Sequence, residues 1–139
     1  MINMNELHDK FKDEIEELEQ ATKYELIKRN IKNINSSARG IYALYHKGKL
    51  IYIGQAGGNI DTNNKSTHLL KERLYQYTRK GDTGTENLKE YLNKHTLKYK
   101  DISFNYITID DCRLIKILEL VMIDYFNKSK SKNNKLVNK

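Results

Sequence analysis

Gly40-Ile-Tyr-Ala-Leu-Tyr-His-Lys-Gly-Lys-Leu-Ile-Tyr-Ile-Gly54 is the stretch on which the fold turns. Two short runs rich in isoleucine and tyrosine, residue types that suit a pleated surface, flank the segment His46-Lys-Gly-Lys49. The pattern predicts a β-hairpin. Strand side chains alternate between faces, so the turn decides which residues share one. A two-residue loop at Lys47-Gly48 pairs Tyr42 with Ile53 and sends Tyr42 and Tyr52 to opposite faces. A three-residue loop, with Gly48 left-handed, sets Tyr42 opposite Tyr52 on one face.

On the N-terminal side, Leu7, Phe11, Ile15 and Leu18 recur at helical spacing among Asp13, Glu14, Glu16, Glu17 and Glu19, which predicts an amphipathic helix. A second apolar series, Leu26, Ile27, Ile31 and Ile34, runs to a break at Asn35-Ser36-Ser37. On the C-terminal side, residues 55–67 have the composition of a loop. A helix is expected from Thr67 to about Arg79 on Leu69, Leu70, Leu74 and Tyr77, then a shorter one around Glu86 to Lys94. Ile102, Phe104 and Tyr106 alternate with Ser103, Asn105 and Ile107 as a third strand. Asp110 and Asp111 are placed to cap a last helix that ends near Asn127. This order predicts an α+β protein: a three-stranded, mainly antiparallel sheet flanked by helices, with an extra N-terminal helix. The expected division is a helical extension over 1–35, a core over 36–127 and a basic tail over 128–139.

The bulk numbers narrow the function. With 139 residues there is room for one domain. The most apolar stretch, Leu114 to Phe126, is broken by Lys116, Glu119 and Asp124 and is too short to span a bilayer, so no membrane partner is expected. The N-terminus is too acidic to be a secretion signal, and the single Cys112 suits a reducing cytoplasmic setting. The net charge of +7 is uneven: residues 1–35 hold eight acids against six bases, whereas Lys128, Lys130, Lys132, Lys135 and Lys139 face no acid in the tail. Such a tail suits phosphate as well as it suits plain solvation.

Gly40-Ile41-Tyr42 followed by Tyr52-Ile53-Gly54 resembles the two motifs of the GIY-YIG nucleases, at that family's separation, with an arginine helix and a glutamate helix following in the same order. The resemblance covers about residues 38 to 127 and is nearest to the restriction-endonuclease branch, given the long stretch between Gly54 and Arg73. It implies the GIY-YIG fold and metal-dependent endonuclease activity on DNA. Both tyrosines line the site in that family, which favours the three-residue hairpin loop. It further implies that Arg73 contacts the scissile phosphate, for which a planar, permanently charged fork of donors is suited. Tyr77, four residues on, fills the place of a family His or Tyr.

Glu119 falls at the margin of the broad apolar arc of the last helix, between Phe126 and Ile123. A carboxylate there needs a cationic partner. An ion pair with Lys116 would serve; the resemblance implies a single Mg²⁺ or Mn²⁺ instead. It also implies that Tyr42 accepts a proton from water and that Tyr52 orients water or phosphate. A phenol that acts as base at neutral pH needs a cationic setting that lowers its pKa. Gln55 stands where many relatives have lysine. Gln55, His68, Lys71, Arg79, Lys80 and Lys132 are the candidates for DNA contact, although each also reads as an ordinary solvated side chain. A family asparagine beyond the glutamate falls on Ser131 here, with Asn127, Asn133 and Asn134 as alternatives.

Other readings stay open: a protein that binds nucleic acid without cutting it, a phage or mobile-element nuclease for branched or nicked DNA, and a scaffold docking through its acidic first helix. A homodimer would cut both strands with paired sites; a monomer would nick.

Overall fold

A computed structural model describes residues 3–58, 69–78, 86–98, 101–128 and 136–138. Among them are four strands and six helices: α1 (Met4–Lys10), α2 (Lys12–Gln20), β1 (Tyr24–Glu25), α3 (Lys28–Ile31), β2 (Gly40–His46), β3 (Lys49–Ala56), α4 (Leu70–Thr78), α5 (Glu86–Lys94), β4 (Ser103–Thr108) and α6 (Cys112–Lys128). The strands form one sheet in the order β1-β4-β2-β3, antiparallel throughout. The α+β class is as expected, but the sheet has four strands rather than three. No helix among the described residues is long and apolar enough to cross a membrane.

The first thirty-odd residues depart most from expectation. The predicted first helix is two, because Phe11 leaves helical geometry (φ −104°, ψ 22°) and serves both as the end of α1 and the start of α2. Asn3 caps α1 by accepting the Glu6 N–H at 3.0 Å. Just ahead of the second apolar series, Tyr24 and Glu25 pair with Phe104 and Ser103 as β1, and within the series only Lys28–Ile31 is helical. Two residues carry no periodicity of their own; the strand exists because β4 offers it an edge.

Helices cover both faces of the sheet. Leu26, Ile31, Ile34, Leu70, Leu74, Leu88 and Leu92 pack on Tyr42, Leu44, Ile51, Tyr52, Ile102 and Phe104. Ile15, Leu18, Ile115, Leu118, Val121 and Met122 pack on Ile41, Ala43, Tyr45, Leu50, Ile53 and Ile107. Residues from the N-terminal region thus enter both cores.

The hairpin corrects the expected turn and keeps its consequence. His46 pairs with Lys49 across a two-residue loop, Lys47 (φ 51°) and Gly48 (φ 79°), both with positive φ. This is the turn type whose twist matches the strands. Left alone, it would put Tyr42 and Tyr52 on opposite faces. A β-bulge intervenes: Tyr45 pairs with Leu50 but Leu44 pairs with Tyr52, so Ile51 is an extra residue. The slip of one residue sets Tyr42 opposite Gly54 and returns both tyrosines to one face.

Beyond α6, Leu136–Asn138 lies along the free edge of β3. The Val137 N–H donates to the Ile51 carbonyl at 2.7 Å. The Asn138 amide accepts from Ile53 N–H (2.8 Å) and donates to Ile53 C=O (2.6 Å). Asn127 accepts the Leu136 N–H at 2.8 Å. At its described end, then, the expected tail is docked.

Candidate active site

The hairpin supplies two tyrosines, α4 an arginine and a third tyrosine, and α6 a carboxylate. Tyr42 lies flat across its neighbouring strand. A Cβ on Gly54 would come within 2.4 Å of the Tyr42 Cζ and Oη, so this position can hold no side chain while the phenol stays in place. Gly40 is closed in the same way from below, where a Cβ would meet the Ile107 carbonyl oxygen at 2.1 Å.

On α4, the buried residues Leu70, Leu74 and Tyr77 repeat at helical spacing and turn inward. One turn of helix brings Tyr77 beneath Arg73. The Tyr77 hydroxyl lies 2.6 Å from that of Tyr42 and also hydrogen-bonds Tyr52. The ring centroid of Tyr42 is 6.0 Å from that of Tyr77 and 6.3 Å from that of Tyr52. Three phenols therefore form one small polar cluster inside an apolar core.

Arg73 completes the cluster electrostatically: its charge acts on Tyr42, Tyr52 and Glu119 alike. Its Nε is buried and has no hydrogen-bond partner among the described residues. A buried guanidinium donor with no partner is costly, and such groups call for a ligand. Glu119 is half-buried and makes no hydrogen bond or ion pair among the described residues. Burial raises its pKa, and Lys116 and Arg73 pull it back only in part.

The phenols are not primed as bases in the protein by itself. Burial first, then Tyr77 and Tyr52, pushes Tyr42 well above the ordinary tyrosine value, against a smaller opposing effect of Arg73. Tyr52 is raised by burial and by the Glu119 charge. The cationic setting expected around Tyr42 thus reduces to Arg73.

Of the five residues expected to be catalytic, Tyr42, Tyr52 and Tyr77 are in contact, and Arg73 and Glu119 lie within electrostatic range of them. Of the expected DNA contacts, the two within the described residues, Gln55 and Lys71, do not join them. Gln55 points to the other side of β3, and its side-chain carbonyl accepts the Gly58 N–H at 3.0 Å, so it braces the following turn. Lys71 lies about 200° around α4 from Arg73. His68, Arg79, Lys80 and Lys132 lie outside the described residues. Sequence reasoning missed Asn138, which brackets Tyr52 by holding the backbone of Ile53. No local signal marks it, because its partner is the backbone of a strand distant in sequence.

Among the described residues no three His, Cys, Asp or Glu side chains gather as a metal-binding group. A site built on one carboxylate has a single protein oxygen donor. It suits a hard cation that keeps most of its water or takes phosphate oxygens, as Mg²⁺ and Mn²⁺ do. Glu119 fits that requirement: it is an oxygen donor at a half-buried position with no protein cation bound to it. No protein-family model matches the sequence, and no curated protein matches it.

Proposed function

We propose that this protein is a metal-dependent endonuclease of the GIY-YIG type, which hydrolyses phosphodiester bonds in DNA. One observation carries the reading. Tyr42, Tyr52, Tyr77, Arg73 and Glu119 come from two strands and two helices, yet the three phenols touch, Arg73 and Glu119 act on them electrostatically, and the buried Arg73 Nε has no partner among the described residues. An uncommitted arginine donor within electrostatic range of an uncommitted carboxylate matches a phosphate diester with its counter-ion.

In this reading Arg73 binds the non-bridging phosphate oxygens and holds the charge that builds on phosphorus as water attacks. Glu119 would hold Mg²⁺ or Mn²⁺, whose charge neutralises the phosphate and supports the departing oxygen. Tyr42 takes the proton from the attacking water, and Tyr52 orients that water. Tyr77 keeps both phenols in place through its two hydrogen bonds. The high resting pKa of Tyr42 means that it becomes a base only once a positive charge beyond that of Arg73 reaches the site.

That same high pKa favours a second reading, a GIY-YIG-like protein that binds nucleic acid but cuts it weakly or not at all. One experiment separates the two. Supercoiled plasmid is incubated with wild type and Glu119→Ala, with Mg²⁺ or EDTA, and binding is measured in parallel. Magnesium-dependent cutting by wild type, reduced about 10²-fold or more in the variant, is the expected result. Folded wild type that binds DNA but leaves plasmid, junction and RNA substrates intact would establish the binder.

A further inference from the structure

Among the described residues, four of the five exposed large apolar side chains, Leu114, Ile117, Leu120 and Tyr125, lie on α6. A helix resting on a sheet has no local reason to present Ile117 at 43% and Leu120 at 61% exposure. α1 lies along the far end of α6, where His8 meets Asp124 and Tyr125 and where Lys128 bonds Asn5. It leaves Ile117 and Leu120 uncovered.

The residues around this pair form a pattern. Arg113, Ile117, Leu120 and Asp124 follow at spacings of four, three and four, so they lie along one stripe of the helix. The stripe is complementary to itself when reversed. Against an antiparallel copy, Ile117 meets Leu120, Leu120 meets Ile117, and at each end Arg113 meets Asp124. A two-fold axis produces this arrangement.

The charged ends are able to make those contacts. The Arg113 side chain is 77% exposed. Its Nε and Nη2 are engaged by Asp111 at 3.0 and 2.9 Å, which leaves Nη1. Asp124 uses Oδ2 for His8 (2.8 Å) and Lys128 (3.6 Å), which leaves Oδ1.

We infer that the Arg113–Asp124 stripe of α6 is a self-association surface, and that its occupant is an antiparallel α6 from a second copy of this chain. An apolar centre with one basic and one acidic end does not suit a polyanion, whereas it suits its own reverse. The inference is independent of the nuclease reading, since association is measured without cleavage.

Sedimentation velocity of the full chain across the micromolar range tests it. Wild type dimerises. Leu120→Lys, at a solvent-exposed position, keeps its circular dichroism spectrum and weakens association about tenfold or more. Arg113→Asp and Asp124→Lys each dissociate alone, because like charges then meet at both ends. Mixed together they re-associate as a heterodimer, in which opposite charges meet at both ends. A wild type that stays monomeric, including one that is bridged only by added duplex DNA, overturns the inference. A dimer indifferent to Leu120→Lys, or single variants whose mixture stays dissociated, overturns it equally.

Discussion

Two regions of the molecule bury polar groups, and they are treated in opposite ways. On the face under α6 and α2, Asn105 is fully buried and completely used. Its amide nitrogen donates to the Leu18 carbonyl (2.8 Å) and the Ala21 carbonyl (3.1 Å), and its oxygen accepts from the Tyr45 hydroxyl (3.1 Å). Every bond is internal to the chain, and together they end α2 and fasten it to β4. At the candidate site, to which α4 and α6 both contribute, the buried Arg73 Nε and the half-buried Glu119 carboxylate have no hydrogen-bond or ion-pair partner among the described residues, and burial raises Glu119. Polar groups of the first kind hold a fold together. Those of the second kind cost stability unless a ligand meets them.

Three changes test that division. The largest effect is expected at Gly54→Ala, where the new methyl group collides with the Tyr42 phenol. Displacing one phenol misaligns all three, so cleavage should fall roughly 10²-fold in the plasmid assay, the loss a misplacement of about 1 Å produces. Full activity in a folded Gly54→Ala would show that the position of Tyr42 is irrelevant to the chemistry. Next comes Asn105→Ala, which strands two carbonyls and the Tyr45 hydroxyl. Chemical denaturation should report about 2–3 kcal/mol of lost stability, with cleavage per folded molecule unchanged. A matching fall in cleavage would erase the contrast between the two regions.

The smallest effect concerns Glu119→Gln. Burial makes the folded state prefer the protonated carboxyl, so between the ordinary carboxylate pKa and the raised one the native state binds more protons than the unfolded state. Stability contributed by that proton is present at acid pH and lost as pH rises through the folded pKa. Glu119→Gln removes the dependence, so its melting temperature should exceed that of wild type at neutral pH and converge with it at low pH. A variant less stable than wild type at pH 7 would mean that Glu119 is a structural partner after all.

Much of the fold can be read locally, where a residue's neighbours in sequence decide its structure. The hairpin follows from Ile and Tyr runs around Lys47-Gly48, α5 from Leu88 and Leu92, and the start of α6 from Asp111, whose carboxylate accepts the Arg113 N–H at 3.0 Å. Features that depend on distant segments are illegible. The bulge at Ile51 changes the hairpin register, and the carbonyl of that residue is taken by Val137. β1 exists only against β4. On α6 the expected apolar arc was too wide: Leu114, Ile117 and Tyr125 face outward because the sheet accepts a narrower stripe centred on Ile115, Leu118 and Met122. The catalytic candidates were readable as motif residues, Arg73 and Tyr77 through their four-residue spacing. Their electrostatics were not, since the pKa of a phenol depends on what buries it.

The short segment Leu136–Asn138 has a consequence for aggregation. An open sheet has two edges, and each can recruit a strand from another chain. Here β1 limits one edge by being two residues long. At the other, Val137 and the Asn138 side chain occupy the Ile51 carbonyl and both backbone groups of Ile53, so that a side-chain amide imitates the strand an intruder would offer. With both edges guarded against cross-strand growth, contact between copies is directed to helical surfaces, where the geometry closes on itself instead of propagating.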